Sequence, residues 1–471
     1  MIRSGKNTYS FVIITLTLLS LMAVTACQPA TNSNSNTSPA ASPSPSASPS
    51  ASPSLTGTVI TLPVLDALFS DEGFKSKLKS SVQLTDEQLA QLQKAAADEV
   101  ARLREANTED GTAEQAELAT QSRANADAAI RKIVGEEKSG ALQTFVHNYW
   151  ISGGEGTTGE STNGMLPGPN AVPKDTRVVV NIPAYRMDVF REGTLVKSYK
   201  VGIGYPDFPL PTGLRKAQTI IINPTWTPPD EPWVAKMKGV EVGEKVEAGS
   251  KLNPLGPVKI PIGLPSLIHG GKSPAKLGTF ASHGCVGLTS PQVLDFSKLL
   301  AQVGGAELPD KQLQSYLKDK TKTETVKLGQ PVPVELRYET IVLEDGKLHI
   351  YRDVYGNQTN TEANLRAVLA ANGIQFESLT PAEQTQILDA LVAMGGTASS
   401  TATPAKVDPS PAAKDAKNAD KKVASAGKKP IGKNQKEVVI ELASLKGKGY
   451  PTAVNLDTGS GKPAALVAAV R

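Results

Sequence analysis

The chain has 471 residues, of which 39% are hydrophobic, 20% charged and only 5% aromatic, with a formal net charge of +4. That length allows about two or three domains, although so few aromatic residues point to less packed core than the length would accommodate. The positive excess is small and spread along the chain, which is weak ground for binding nucleic acid and compatible with anionic surfaces, so no nucleic-acid partner is expected.

Arg3 and Lys6 precede an apolar run over 11–24 that ends in Val24-Thr25-Ala26-Cys27. The run is short for a transmembrane helix. Its layout resembles a bacterial lipoprotein signal, which implies a signal peptide over 1–26, cleavage before Cys27 and acylation of that cysteine's sulfur and amine. Gln28 stands where an aspartate would imply inner-membrane retention, so an outer-membrane anchor is the expectation if the cell has two membranes. An ordinary signal peptide ending at a small residue, or a single membrane anchor, are the alternatives. Residues 27–57 are dominated by Ser, Pro, Ala, Asn and Thr, with repeated Ser-Pro pairs. Such a segment has nothing to bury and reads as an extended tether.

A helical accessory region is expected over 58–152. Thr85-Asp86-Glu87-Gln88 offers a capping box, and Leu89, Leu92, Ala96, Val100 and Leu103 follow at helical spacing. A second helix is expected over 113–133 and a third over 136–149. His147 falls in the last of these, among Phe145, Tyr149 and Trp150, where a core or surface role is the default.

A Gly/Thr/Ser-rich linker over 153–174 separates this region from one of different periodicity. Residues 177–182 and 187–190 alternate with period two, and Arg191-Glu192-Gly193 leads into a further strand over 195–201, the signature of a hairpin. Strands are also expected over 218–222, 257–262, 334–343 and 348–351, and His349 on the last of them reads as structural. The fold class is therefore a mainly β catalytic domain over 175–353 with helical segments before and after, multidomain α+β as a whole. Two short helices are expected within 354–395, the second opened by Thr380-Pro381-Ala382-Glu383. An Ala/Lys/Pro/Ser stretch over 396–435 reads as disordered, and 436–471 as a C-terminal tail too short for a confident domain. Asp457-Thr458-Gly459 and Gly459-Ser460-Gly461-Lys462 imitate a protease triplet and a phosphate loop, but lack the second copy and the spacing those motifs need.

The chemistry concentrates in Ile268-His269-Gly270-Gly271 and Ser282-His283-Gly284-Cys285-Val286-Gly287. The chain has two cysteines and four histidines. With Cys27 assigned to the signal, Cys285 is the thiol left for chemistry. A lone thiol in an exported, oxidising compartment is a liability unless it is buried or used. His283 and Cys285, two apart in an extended segment, point to one side. Gly284 lets the backbone approach a substrate, and the amides of Gly284 and Cys285 are candidate donors to an oxyanion. His269 is the candidate base, with the intervening Gly/Lys/Ser/Pro stretch folding back as a loop. His283 is either a second functional group or mainly a positioning one. A zinc site of His269, His283 and Cys285 is the rival reading, but it lacks the usual tight ligand pairs, so no metal is expected.

Ile268-His269-Gly270, Leu277-Gly278 and Ser282-His283-Gly284-Cys285-Val286 together resemble the catalytic signature of the L,D-transpeptidase (YkuD) family. The opening Val179-Val180-Asn181-Ile182-Pro183, the Pro211-Thr212-Gly213 element and Asn223-Pro224-Thr225-Trp226 add to the likeness, which covers about residues 175–353. The resemblance implies a YkuD-like β-sandwich, no cofactor, and peptidoglycan stem peptides as partners. Cys285 would attack the carbonyl before a terminal D-residue, release D-alanine and form a thioester that an amine resolves. His269 would be the general base, His283 its support, and Ser282 a group that shapes the pocket. Many members carry Arg or Asn two residues after the cysteine, where this chain has Gly287, which leaves donor and acceptor preference open.

Three readings follow. The first is an envelope-anchored transpeptidase facing the periplasm or cell wall, making cross-links or attaching proteins. The second is an L,D-carboxypeptidase or hydrolase of the same bonds, and the third a non-catalytic wall-binding lipoprotein.

Overall fold

The computed structural model describes residues 60–105, 115–152, 166–229, 234, 237–395 and 435–459. The signal peptide, Cys27, the tether, most of the 153–174 linker and all but the last residue of the 396–435 stretch lie outside them. No helix among the described residues is long and apolar enough to cross a membrane.

The N-terminal region holds α1 (Leu62–Phe69), α2 (Glu72–Val82), α3 (Asp86–Glu105), α4 (Gln115–Val134) and α5 (Glu136–Ile151). Their starts follow from side-chain capping of the unpaired first-turn amides. Thr61 Oγ1 accepts from the Val64 amide at 3.4 Å and Asp71 Oδ1 from the Gly73 amide at 2.9 Å. The expected capping box opens α3: the Gln88 amide donates to Thr85 Oγ1 at 3.1 Å and the Thr85 amide to Gln88 Oε1 at 3.2 Å. The apolar stripes meet in one core that includes Leu65, Phe74, Leu78, Leu92, Ile130, Val146 and Trp150.

The β-rich region begins with β1 (Arg177–Asn181), β2 (Arg186–Arg191), β3 (Thr194–Lys200), β4 (Ile203–Gly204) and β5 (Gly213–Ile222). It continues through β6 (Val258–Pro261), β7 (Leu267–Lys272), β8 (Phe280–Ser282), β9 (Val286–Thr289), α6 (Ser290–Val303), α7 (Asp310–Lys318) and β10 (Glu324–Arg337). Eight strands form one mixed sheet in the order β3-β2-β1-β10-β5-β6-β7-β9, with β4 and β8 paired separately. The β2–β3 turn works because Glu192 (φ 48°) and Gly193 (φ 80°) both enter the left-handed region, as a tight hairpin turn requires. Helix α6 packs Val293, Phe296 and Leu300 into the core that holds Ile268, Val286 and Leu288. Its start is another capping box, Thr289 with Gln292, and has proline in the first turn.

Beyond β10, β11 (Ile341–Glu344), β12 (Lys347–Tyr351), α8 (Glu362–Ala371) and α9 (Pro381–Met394) lead to β13 (Glu437–Glu441). The stretch expected to be one strand over 334–343 is thus the end of β10 and the start of β11, because Tyr338–Thr340 leave the ladder between them. Strand β13 completes a three-stranded sheet with β11 and β12 and buries Ile440 against α8 and α9. The chain then runs beside β3, where the Ser198 and Lys200 amides donate to the Val454 and Asp457 carbonyls at 2.9 Å each. This covers the free edge of the eight-stranded sheet, an edge that otherwise invites pairing with another chain. His349 sits on β12, with Nδ1 against Glu437 of β13 and its ring stacked on Tyr351.

Hydrogen bonds among the described residues tie the helical region to the sheet region. Thr61 Oγ1 donates to the Asp207 carbonyl at 2.7 Å, and Ser122 Oγ donates to Asp207 Oδ1. Arg123 donates to Asn357 Oδ1 at 2.7 Å and to the Gly356 carbonyl at 2.9 Å. Arg215, at 2% exposure, donates to the Trp150 carbonyl near the end of α5 and to the Leu264 carbonyl. Burial without a carboxylate partner pushes its guanidinium down to about 9.

Candidate active site

Strands β7 and β9 run parallel, with Ile268 opposite Val286 and His269 opposite Gly287. Ile268 and Val286 face the core, so His269 and Gly287 face the other side. Cys285, two residues before Gly287, lies in the turn that leads from β8 into β9 and shares that side. The register therefore brings His269 and Cys285 to one face from two strands. The fold-back imagined as a loop is in fact a crossover through a short 3₁₀ turn (Pro274–Lys276) and β8.

The turn itself is built by Ser282 and Gly284. Ser282 is 3% exposed. Its Oγ accepts from the Cys285 amide at 3.1 Å and donates to the Cys285 carbonyl, so one hydroxyl fixes both backbone groups of the cysteine. Gly284 takes φ 86°, a conformation that a β-carbon would strain. Of the two expected oxyanion donors, the Cys285 amide donates to Ser282 Oγ, whereas the Gly284 amide has no partner among the described residues.

His269 is buried, and its Nδ1 lies 2.8 Å from the Gly270 carbonyl. A carbonyl only accepts, so Nδ1 carries the proton and Nε2 keeps its lone pair. Burial, with Lys272 nearby, pushes the His269 imidazole down to about 3, against smaller opposing contributions from the Gly270 and Leu255 backbones. Burial and Lys272 likewise hold His283 well below its ordinary value. The half-buried Cys285 thiol is pushed up by burial, opposed by a backbone hydrogen bond from Leu267 and by the charge of Lys272. The resting pair is therefore a neutral thiol and a neutral imidazole.

His283 does not stand open to solvent. Tyr205 and Phe208, from the loop between β4 and β5, place their rings 5.2 Å and 4.9 Å from its ring. The Tyr205 amide donates to the Ser282 carbonyl at 2.8 Å, which ties that loop to the cysteine turn. Tyr205, Phe208 and Lys272 were not singled out from the sequence. An aromatic–proline run over 205–209 was the available signal for the first two; Lys272 gave none. Among the described residues no three His, Cys, Asp or Glu side chains converge as a metal site. His147 and His349 lie outside this cluster, His147 lining a cavity of about 210 Å³ with Trp150, Tyr338 and Tyr355.

Residues 175–334 match the YkuD family model, the L,D-transpeptidase catalytic domain. The chain carries a YkuD domain. The fold, a curled sheet with helices before and after, is the mixed α+β arrangement expected. Among solved structures the chain is similar to the catalytic domain of an E. faecium L,D-transpeptidase, at 16% identity over 36% of this chain and 100% of that one, with a TM-score of 0.24. It is also similar to L,D-transpeptidases from Mycobacterium smegmatis (16% identity, TM-score 0.20) and Mycobacterium tuberculosis (15%, 0.19). Those two matches cover 34% of this chain and only 58% and 57% of the mycobacterial chains. No curated protein matches the chain.

Proposed function

We propose that the YkuD domain of this chain is a cell-wall L,D-transpeptidase that works through a Cys285 thioester. The observation that carries this reading is the shared face of His269 and Cys285 across the β7–β9 ladder, with the cysteine turn locked by Ser282. Cys285 Sγ attacks the stem-peptide carbonyl before the terminal D-residue while its proton passes to Nε2 of His269. A neutral pair suits this sequence, because the neutral imidazole is free to take the proton as the thiolate forms and attacks. The Gly284 amide donates to the oxyanion. Collapse breaks the peptide bond, and the proton on His269 goes to the departing amine as D-alanine leaves. An acceptor amine then attacks the thioester, His269 takes its proton, and the thiol is regained.

His283, enclosed by Tyr205 and Phe208, acts by holding the turn rather than by moving the proton. The signal layout supports export and attachment through lipidated Cys27, which would hold the domain at the envelope facing peptidoglycan. The test is to incubate the purified protein with tetrapeptide stems and read the products by mass. Free D-alanine with cross-linked dimers supports the transpeptidase. Tripeptide without dimers would make water the acceptor. Release of D-alanine by Cys285→Ala equal to that of the unmodified protein would sink the thioester.

A further inference from the structure

Strand β7 continues past His269 through a register shift to Lys272, which pairs with Thr289 of β9. The lysine's aliphatic stem then lies flat over Gly287. A β-carbon at Gly287 would fall 2.9 Å from Cγ, 3.0 Å from Cε and 3.4 Å from Cδ of Lys272. A side chain at position 287 and the observed course of Lys272 thus exclude one another. The room left by the glycine is filled by a cation from the neighbouring strand.

We propose that Lys272, seated over Gly287, is the cation that stabilises the Cys285 thiolate. The titratable groups facing it are His269 on its own strand, His283 and Cys285 from the turn between β8 and β9, and Lys276 from the 3₁₀ turn. No carboxylate pairs with it among the described residues, so its charge is not already spent. Both imidazoles are held neutral, which leaves Lys272 as the positive charge that acts on the sulfur. The influence is mutual. Burial holds the Lys272 ammonium down while Cys285 pulls it up, and Lys272 in turn pulls the thiol down against its burial. A half-buried ammonium acts through a lower effective dielectric than water, so its charge is felt at the sulfur more strongly than on the surface.

This inference rests on Cys285 as the nucleophile, but it is read from the thiol itself rather than from turnover. The experiment is the rate of iodoacetamide alkylation of Cys285 in the full chain as a function of pH. Lys272→Met and Lys272→Gln should displace the profile to higher pH and slow alkylation at pH 7 by roughly three- to tenfold. Lys272→Arg should restore most of the rate. Gly287→Arg in the Lys272→Met background should return a cation and move the profile back. Should Lys272→Met fail to fold, Gly287→Ala crowds the lysine stem while keeping the lysine, and should displace the profile in the same direction. Profiles that overlay that of the unmodified protein would overturn the proposal, and so would a raised KM for the stem peptide with an undisplaced profile. If the unmodified protein alkylates normally yet releases no D-alanine, the thioester reading fails while the alkylation profiles still decide the role of Lys272.

Discussion

Ser122 of α4 donates a hydrogen bond to the Asp207 carboxylate, which is buried in the loop that carries Tyr205 and Phe208 to His283. The helical region is thereby attached to the wall of the candidate site and not only to the back of the sheet. Burial, together with Glu99, pushes the Asp207 carboxyl up, and Ser122 and Arg102 pull it down. Removing the hydroxyl leaves a buried carboxyl short of a partner. Ser122→Ala should cost about 1–3 kcal/mol of stability and lower kcat/KM. Thermal unfolding and D-alanine release measured together check this, and an unchanged kcat/KM would detach the helical region from catalysis.

The hydroxyl of Ser282 fixes both backbone groups of Cys285. Ser282→Ala frees the cysteine amide and loosens the turn without removing the proposed nucleophile or base. Activity should fall at least about tenfold with the fold intact, since a misplaced nucleophile is costly. Circular dichroism and the rate of D-alanine release give the comparison. Full activity in this variant would remove Ser282 from the positioning of Cys285.

The buried neutral state of His269 makes stability depend on pH. Its folded value, about 3, lies below the ordinary 6.5, so between those values the unfolded chain takes up a proton that the folded chain refuses. This contribution does not weaken folding above about pH 6.5 and destabilises progressively as pH falls toward 3. His269→Gln should therefore flatten the acid side of the stability curve by up to about 1.4 kcal/mol per pH unit. Urea unfolding at pH 7 and pH 5 reads this directly. Equal slopes in both proteins would mean that His269 is protonated in the folded state.

Beyond β13, Leu445 is fully buried against the α8–α9 core. Leu445→Ala should destabilise the chain by about 2–5 kcal/mol, and cutting the chain before residue 436 should expose β3 as a free edge. Size-exclusion chromatography of the shortened protein should show association that the full chain lacks. A monomeric, equally stable truncation would make this segment dispensable.

Much of this architecture was legible in local pattern. Thr85 with Gln88, Thr380 with Glu383 and the Glu192-Gly193 turn each set an element boundary through contacts three residues apart or fewer, which is the range a sequence displays. Cys285 stood out as a candidate because the assignment of Cys27 to the signal left one thiol beside two histidines. Strands β7 and β9 were not, because they are short and rich in glycine, and their parallel pairing joins residues separated by a crossover. Helix α6 carries local signals of the same kind, with Thr289, Pro291 and Gln292 at its start and Val293, Phe296, Leu300 and Val303 at helical spacing. Lys272 was invisible for a stricter reason. Gly287 read as a missing side chain, and only the register across β7 and β9 shows which residue fills the space. The occupied amide of Cys285 was likewise a matter of turn geometry that residue types do not reveal.

Cys285 is the residue proposed to carry the acyl group, and one experiment tests this. Intact-mass spectrometry of the protein after brief exposure to a tetrapeptide stem, followed by acid quenching and peptide mapping, addresses it most directly. An added mass equal to the tetrapeptide stem minus one D-alanine molecule is expected, located on the peptide that contains Cys285 and absent from Cys285→Ala. An adduct on another residue, or D-alanine release that persists in Cys285→Ala, would contradict it.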